Sequence, residues 1–419
     1  MTDPSDLLRR LFARAVAVAD PMRTLAAHLP PRPAGRVVVV GAGKASARMA
    51  EAVEAEWGPC EGLVITRYGY ARPCAGIEIA EAAHPVPDAA GVAATARMLA
   101  LLDGLSEGDF VLALISGGGS ALLIAPADGI TLAEKQALTA DLLASGAPIG
   151  DINGIRKEIS AVKGGRLAAA AYPARMRALL ISDVPGDDPA SIASGPTVGH
   201  GGDAALARAT LARWGVTPPA SIARYLDAGG DPLAPDDPRL SRVENRIVAA
   251  PSQSLAAAAD LARDEGVAVE ILGDAIEGEA REVARAHAAL ALGRRPAPGA
   301  APLLLLSGGE LTVTRRGDGI GGPNAEYVLA LALALDGAPG IHGIACDTDG
   351  VDGAAEVAGA VIGPGTLARA RALGLDPAGA LARNDAHGFF AALGDQVVPG
   401  PTLTNVNDFR AILIAPPVA

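Results

Sequence analysis

The sequence predicts an α/β protein of two α/β domains, the first of them doubly wound. Three observations carry this. Short apolar, β-branched runs recur along the chain, and most end on a turn rich in glycine or aspartate. Segments with helical character lie between them, the alternation that builds a sheet with helices on its faces. The chain has 419 residues, and a single core stops growing at roughly 250–300, so two domains are expected.

The elements follow in order. Residues 5–19 read as an amphipathic helix with Leu7, Leu8, Leu11 and Phe12 on one side, stopped by Pro21. Pro30, Pro31 and Pro33 make a rigid connector. Arg36–Val40 suits a strand buried on both faces. Gly41 to Gly43 follow, then a helix from Ser46 to about Trp57. Further strands are Leu63–Ile65, Phe110–Ile115 running into Ser116–Ser120, and Ala178–Ile181 running into Ser182–Asp187. Residues 228–241, with Gly229, Gly230, Pro232, Pro235 and Pro238, read as the linker. The domains are therefore assigned to 1–240 and 241–419. The second opens on a strand at Arg246–Ala249 and a helix over about 252–264. It continues with strands at Val267–Leu272, Leu303–Leu306, His342–Ala345 and Phe409–Ile414.

Composition excludes several classes. Half the residues are apolar and a fifth charged, which fits a globular chain and not a disordered one. The net charge is −12 with no basic run, so a nucleic-acid partner is disfavoured. No run of about 18 apolar residues occurs, so no membrane span is expected. Cys60, Cys74 and Cys346 are odd in number and lack metal-ligand spacing, which points to a reducing, cytoplasmic location. Of 35 basic residues only four are lysines, leaving 31 arginines, and only six asparagines occur. Lys44, Lys157 and Lys163 fall in segments singled out on other grounds, as do Asn153, Asn324, Asn384, Asn405 and Asn407. Lysine does what arginine does not where a compact point charge is needed.

Gly41 to Lys44 lie in a strand–turn–helix, where free helix N–H groups, close backbone approach and a lysine suit a phosphate. The spacing does not fit a Walker A loop, and Ser46 replaces the third glycine of a dinucleotide loop. The second strand ends at Thr66–Arg67 rather than on an acid, which disfavours NAD but leaves a 2′-phosphate open. A plain tight turn with Lys44 in solvent is the competing reading. Ser116, Gly117, Gly118, Gly119 and Ser120 make a second loop able to form a nest of N–H groups. Residues 151–166 are dense in cations. If helical from about Ile155, they place Arg156, Ser160 and Lys163 on one face. That face suits a small carboxylate or phosphate, or is merely a solvated charged face. Asp183, Asp187 and Asp188, and then Asp347, Asp349 and Asp352, follow strands. Such aspartates hold Mg²⁺ beside substrate phosphates, or only shape turns. Glu310, Asn324, Glu326 and Asn407 sit beside strands of the second half. The six histidines lack ligand spacing; His387, next to Asn384 and Asp385, stands out.

Val39–Ala45, Ser116–Leu122, Asn153–Lys157, Val162–Leu167, Ser182–Asp188 and Ile192–Thr197 resemble the N-terminal half of the class II glycerate kinases. Ser307–Glu310, Cys346–Gly353 and Thr404–Asp408 resemble the C-terminal MOFRL half of that family. The resemblance covers about residues 10–415. It implies a Rossmann-like first domain, an active site in the cleft between two domains, and ATP- and Mg²⁺-dependent phosphorylation of D-glycerate on its 2-hydroxyl. Some similar proteins carry the label hydroxypyruvate reductase, within tartrate or glyoxylate metabolism. Lys44 matches the family's lysine held important for catalysis; for phosphoryl transfer Lys44 and Asp187, the latter to orient the 2-hydroxyl, are the catalytic candidates. Gly41, Gly43, Ser116, Gly117, Gly118, Gly119, Ser120, Glu310 and Asn324 serve ATP. Asn153, Arg156, Lys157 and Asn407 serve the acceptor, and Asp347 and Asp349 the metal. One departure stands out: Pro323 replaces an arginine usual in the family, with Arg315 and Arg316 nearby as substitutes. A homodimer is compatible with this reading. Two alternatives stay open: an NAD(P)H-dependent hydroxypyruvate reductase, and a non-catalytic regulator that binds a nucleotide or sugar phosphate.

Overall fold

The computed structural model describes residues 3–417. The first sheet comprises β1 (Val37–Ala42), β2 (Glu61–Arg67), β3 (Ile77–Ala82), β4 (Phe110–Ile115), β5 (Arg175–Ile181) and β6 (Val243–Ala249), in the order β3-β2-β1-β4-β5-β6. Neighbours from β3 through β5 pair in parallel, with Val40 opposite Leu63 on one side and Ala113 on the other. β1 and β4 are buried at every position, which is why they read as unbroken apolar runs. The order reverses between β1 and β4. The chain leaves β1 in opposite directions there, and the crevice at such a switch point is where doubly wound sheets bind ligands.

The strand at 243–249 closes this first sheet rather than opening the second. The Met176 amide donates to the Arg242 carbonyl at 3.0 Å, extending the β5 edge. Residues 228–241 are therefore a strap within the first unit and not the linker. Leu233 is buried and its carbonyl accepts from the His200 amide at 2.8 Å. Prolines suit such a strap because it needs few backbone donors.

The second sheet comprises β7 (Ala268–Gly273), β9 (Leu303–Ser307), β11 (Ile341–Asp347), β12 (Gly359–Ile362), β13 (Gln396–Val397) and β14 (Asp408–Ile414), while β8 (Gly278–Glu279) and β10 (Leu311–Thr312) pair separately. Its order is β13-β12-β11-β14-β9-β7, antiparallel throughout except between β7 and β9. β11 turns back into β12 through residues 348–358, a connection too short for a helical crossover.

The chain divides into two compact units that are discontinuous in sequence. One holds Thr24–Ser182 and Asp187–Val248; the other holds the segment up to Arg23, Asp183–Gly186 and everything from Ala249. The N-terminal helix Pro4–Ala17 thus belongs with the second sheet. Its Leu7, Leu8, Leu11 and Phe12 pack with Leu255, Ala258 and Ala262 of the helix Pro251–Asp264 and with Phe409 of β14. Each such large side chain contributes roughly 1.5–3 kcal/mol on burial.

Candidate active site

The switch-point loops are locked together rather than open. The Gly43 amide donates to the Ile65 carbonyl at 3.1 Å, Lys44 to Gly117 at 2.8 Å, and Ala45 to Ser116 Oγ at 3.0 Å. Ser46 Oγ donates to the Leu114 carbonyl at 2.9 Å and lies 3.2 Å from Ser116 Oγ. The amides expected to cradle a phosphate at Gly43 are consumed by the chain itself. Gly41 and Gly43 serve close approach instead: a methyl on Gly43 would collide with Ser116 Oγ and sit 2.6 Å from its carbonyl oxygen. Ser46 fits where a third glycine is usual because its hydroxyl joins this seam. In the second loop the amides of Gly117 and Gly118 keep no acceptor among the described residues. Gly119 instead packs against Ala193, and its amide donates to the Ser116 carbonyl.

Gly118 carries a left-handed backbone (φ 78), and the space its absent side chain would fill is bounded at 3.1 Å by the His84 ring and the Lys44 stem. Beside it opens a cavity of about 710 Å³. His84, Gly118, Ser120, Lys135, Arg156 and Lys163 supply its main polar lining, and Val86, Ile124, Ala140 and Leu143 part of its apolar wall. Among the described residues, no carboxylate lines it.

Two of the cations are buried lysines held in the same way. Lys163 Nζ donates to the carbonyls of Ser120 and Leu123 at 2.8 and 2.9 Å. Lys135 Nζ donates to those of Ile159 and Arg156 at 2.8 and 3.5 Å. Each closes the carboxyl end of a helix, where a cation is favoured. Burial, then the nearby Arg156, pushes Lys163 down to about 7. Burial, then Lys163, Arg156 and Arg166, drives Lys135 well below the usual lysine range.

The cationic segment is helical only over Ile149–Glu158. Ser160 lies beyond it in a bridge with Pro126, so the single helical face of Arg156, Ser160 and Lys163 does not form. Arg156 and Lys163 meet at the cavity by tertiary folding instead. Asn153 Oδ1 accepts from Arg156 Nη1 at 3.3 Å. Lys157 does not line the cavity; it lies near Asp188 and His200. Arg166 ties the segment together, donating from Nη1 to the Lys157 and Lys163 carbonyls at 3.0 and 3.1 Å and from Nη2 to Asp231 on the strap. Ser120 Oγ lies 2.7 Å from Ser194 Oγ. Ala193, Ser194 and Gly195 form a run of positive φ. Asp187 is half-buried, also with positive φ (54), and does not line the cavity.

In the second unit, most expected ligand contacts are internal. Asp352 accepts from the amides of Asn324 and Ala325 at 3.0 and 2.8 Å and faces His387 Nε2 at 3.0 Å. The start of the helix Pro323–Leu335 is therefore already filled by a carboxylate. Asn324 Nδ2 donates to Asp408 at 2.7 Å and to Asp352 at 3.4 Å, so Asn324 has no donor left for a phosphate. Burial pushes Asp408 up to about 6 despite Arg410 at 2.9 Å. Asn407 Nδ2 donates to the Asp183 carbonyl at 3.0 Å, bracing that segment rather than a substrate. Asp347 and Asp349 each accept an amide two residues on, both at 2.8 Å, as turn-forming aspartates do. Glu310 is exposed just before β10.

Against this geometry stand the known proteins. A family model described as a domain of unknown function, DUF4147, matches residues 7–227, and the MOFRL family model matches 303–408. A protein of Thermotoga maritima named D-glycerate 2-kinase is 37% identical over 99% of this chain and 100% of its own length. The chain belongs to the class II glycerate kinase family. A crystal structure titled glycerate kinase from the same organism superposes with a TM-score of 0.86 at 36% identity, covering 98% of this chain and 99% of that one. An Agrobacterium vitis relative, 52% identical over 97% of this chain and 94% of its own, bears the provisional name hydroxypyruvate reductase.

Within the glycerate kinase pattern, Pro323 occupies the first turn of its helix, a position that needs no N–H. Arg315 and Arg316 are both exposed on the preceding loop, and Arg315 Nε donates to the Gly317 carbonyl at 3.2 Å. Glu326 instead meets Arg281 at 2.8 Å, both buried. Arg281→Met strands that carboxylate and is expected to lower unfolding stability by roughly 3–5 kcal/mol in denaturant titration. Sequence reasoning missed His84 and Lys135. The scarcity of lysine marks Lys135 as much as the other three.

Proposed function

We propose that this chain transfers the γ-phosphoryl of ATP to the 2-hydroxyl of D-glycerate. The supporting observation is the cavity walled by Lys135, Arg156 and Lys163 with no carboxylate, in a chain of net charge −12. Such a site calls for an anionic ligand. Phosphoryl transfer asks mainly for positioning and charge stabilisation. The free amides of Gly117 and Gly118 and the ammonium of Lys44 are assigned to the transferring group. Asp187 is assigned to orient the acceptor hydroxyl, on the grounds of its half-buried carboxylate and strained backbone.

Mg²⁺ is typically held by one or two carboxylates together with substrate phosphates and water. No group of three or more His, Cys, Asp or Glu converges among the described residues, so Asp347 and Asp349 fit a phosphate-borne ion and not a dedicated cage. The ion would neutralise charge on the phosphates.

The test is a coupled assay with D-glycerate, ATP and Mg²⁺ that identifies the product. 2-Phosphoglycerate is expected; no ATP-dependent product would sink the proposal. NADPH consumption with hydroxypyruvate is the parallel arm, expected flat because the amides at Gly43 to Ala45 are already bonded.

A further inference from the structure

The charges in the first unit's cavity discriminate between the two substrates of the proposed reaction. An ammonium has three hydrogens. Lys135 and Lys163 each give two to carbonyls and keep a third without an acceptor among the described residues. Arg156 adds a third cation on the same wall. Glycerate carries one carboxylate, too few acceptor oxygens and too little charge to hold all three groups in their charged, hydrogen-bonded forms, and any left charged without a partner is penalised heavily in low-dielectric surroundings. A triphosphate carries enough charge and enough acceptor oxygens for all three. Size points the same way: about 710 Å³ falls within the roughly 300–1,000 Å³ of pockets for larger small molecules. A three-carbon acid would leave most of it empty.

We propose that this cavity receives the nucleoside triphosphate, with Lys135, Arg156 and Lys163 holding its phosphates and the apolar wall from Val86 to Leu143 covering the nucleoside. This rests on the kinase reading and moves Arg156 from the acceptor to the donor. Burial, then Arg156, brings Lys163 down to about 7, so it is partly neutral near that pH. A bound polyanion favours its charged form, so binding above pH 7 draws in a proton.

The probe is inorganic tripolyphosphate, titrated calorimetrically into the full chain without metal or glycerate. Wild type is expected to bind and, at pH 8, to take up protons, seen as a heat that depends on the buffer. Lys135→Met is expected to weaken binding by about 10–100-fold, the loss of one charge-assisted hydrogen bond. Lys135 is buried, so a second variant guards against misfolding. Ala140→Trp lies on the exposed side of the helix Leu132–Ala144 and fills the cavity mouth from outside. It should raise KM for ATP by about tenfold or more and leave KM for D-glycerate within about twofold. Equal tripolyphosphate affinity in wild type and a folded Lys135→Met, or a rise in the glycerate KM instead of the ATP KM in Ala140→Trp, would overturn the assignment. Binding without proton uptake would overturn the role of Lys163. If wild type binds tripolyphosphate yet makes no phosphoglycerate, the kinase reading falls and the cavity assignment stands.

Discussion

Lys44→Ala is expected to lower kcat for ATP-dependent phosphorylation of D-glycerate by about 10²–10³-fold, as loss of a donor to developing charge does elsewhere. The fold should hardly notice. Lys44 is only half-buried, with its stem against Gly118, and a change of about 0.5 kcal/mol or less is expected in denaturant titration. Lys44→Arg should not restore the rate. A planar fork does not replace a compact ammonium beside a backbone approached at van der Waals distance. A Lys44→Ala enzyme at the wild-type rate in the coupled assay would remove Lys44 from the chemistry.

Gly43→Ala should fail in the opposite way. The new methyl meets Ser116 at the seam between the β1 and β4 loops, on a backbone at φ 147. Overpacking and backbone strain together are expected to cost roughly 3 kcal/mol, with activity lost only as the fold is lost. If Gly43 served a phosphate instead, the substitution would raise KM at unchanged stability. Gly154 provides the contrast. It lies inside the helix Ile149–Glu158 with nothing within 4 Å of an added methyl, so Gly154→Ala should stabilise by about 1 kcal/mol.

These two glycines show where sequence reasoning stopped. The strand–turn–helix around Gly43 was legible, because β1 is buried on both faces and reads as an apolar run. The use of its amides was not, because their acceptors, Ile65, Ser116 and Gly117, lie 22 to 73 residues away. β6 was legible as a strand but not as part of the first sheet, since nothing local distinguishes a sixth edge strand from the opening of a new domain. The antiparallel second sheet was missed for a related reason: pairing direction depends on connections, not on the runs themselves. Arg156 and Lys163 were rightly paired for a wrong reason. The helix supposed to align them ends at Glu158, and folding joins them regardless. The candidate site was thus legible as a set of residue types and not as a division of labour.

The grouping of the N-terminal helix with the second sheet has a bearing on synthesis. Phe12 stacks near Phe409 with ring centroids 6.0 Å apart, and the Thr404 hydroxyl donates to the Ala19 carbonyl at 2.8 Å. This helix finds its partner only once the chain through β14 has been made. At about 5–20 residues per second, that is a wait of roughly 20–80 seconds. Throughout it, Leu7, Leu8, Leu11 and Phe12 have no native surface to cover, while the parallel sheet between them and their destination can already fold. Nascent-chain handling, more than final stability, is where changes to those four residues should first be felt.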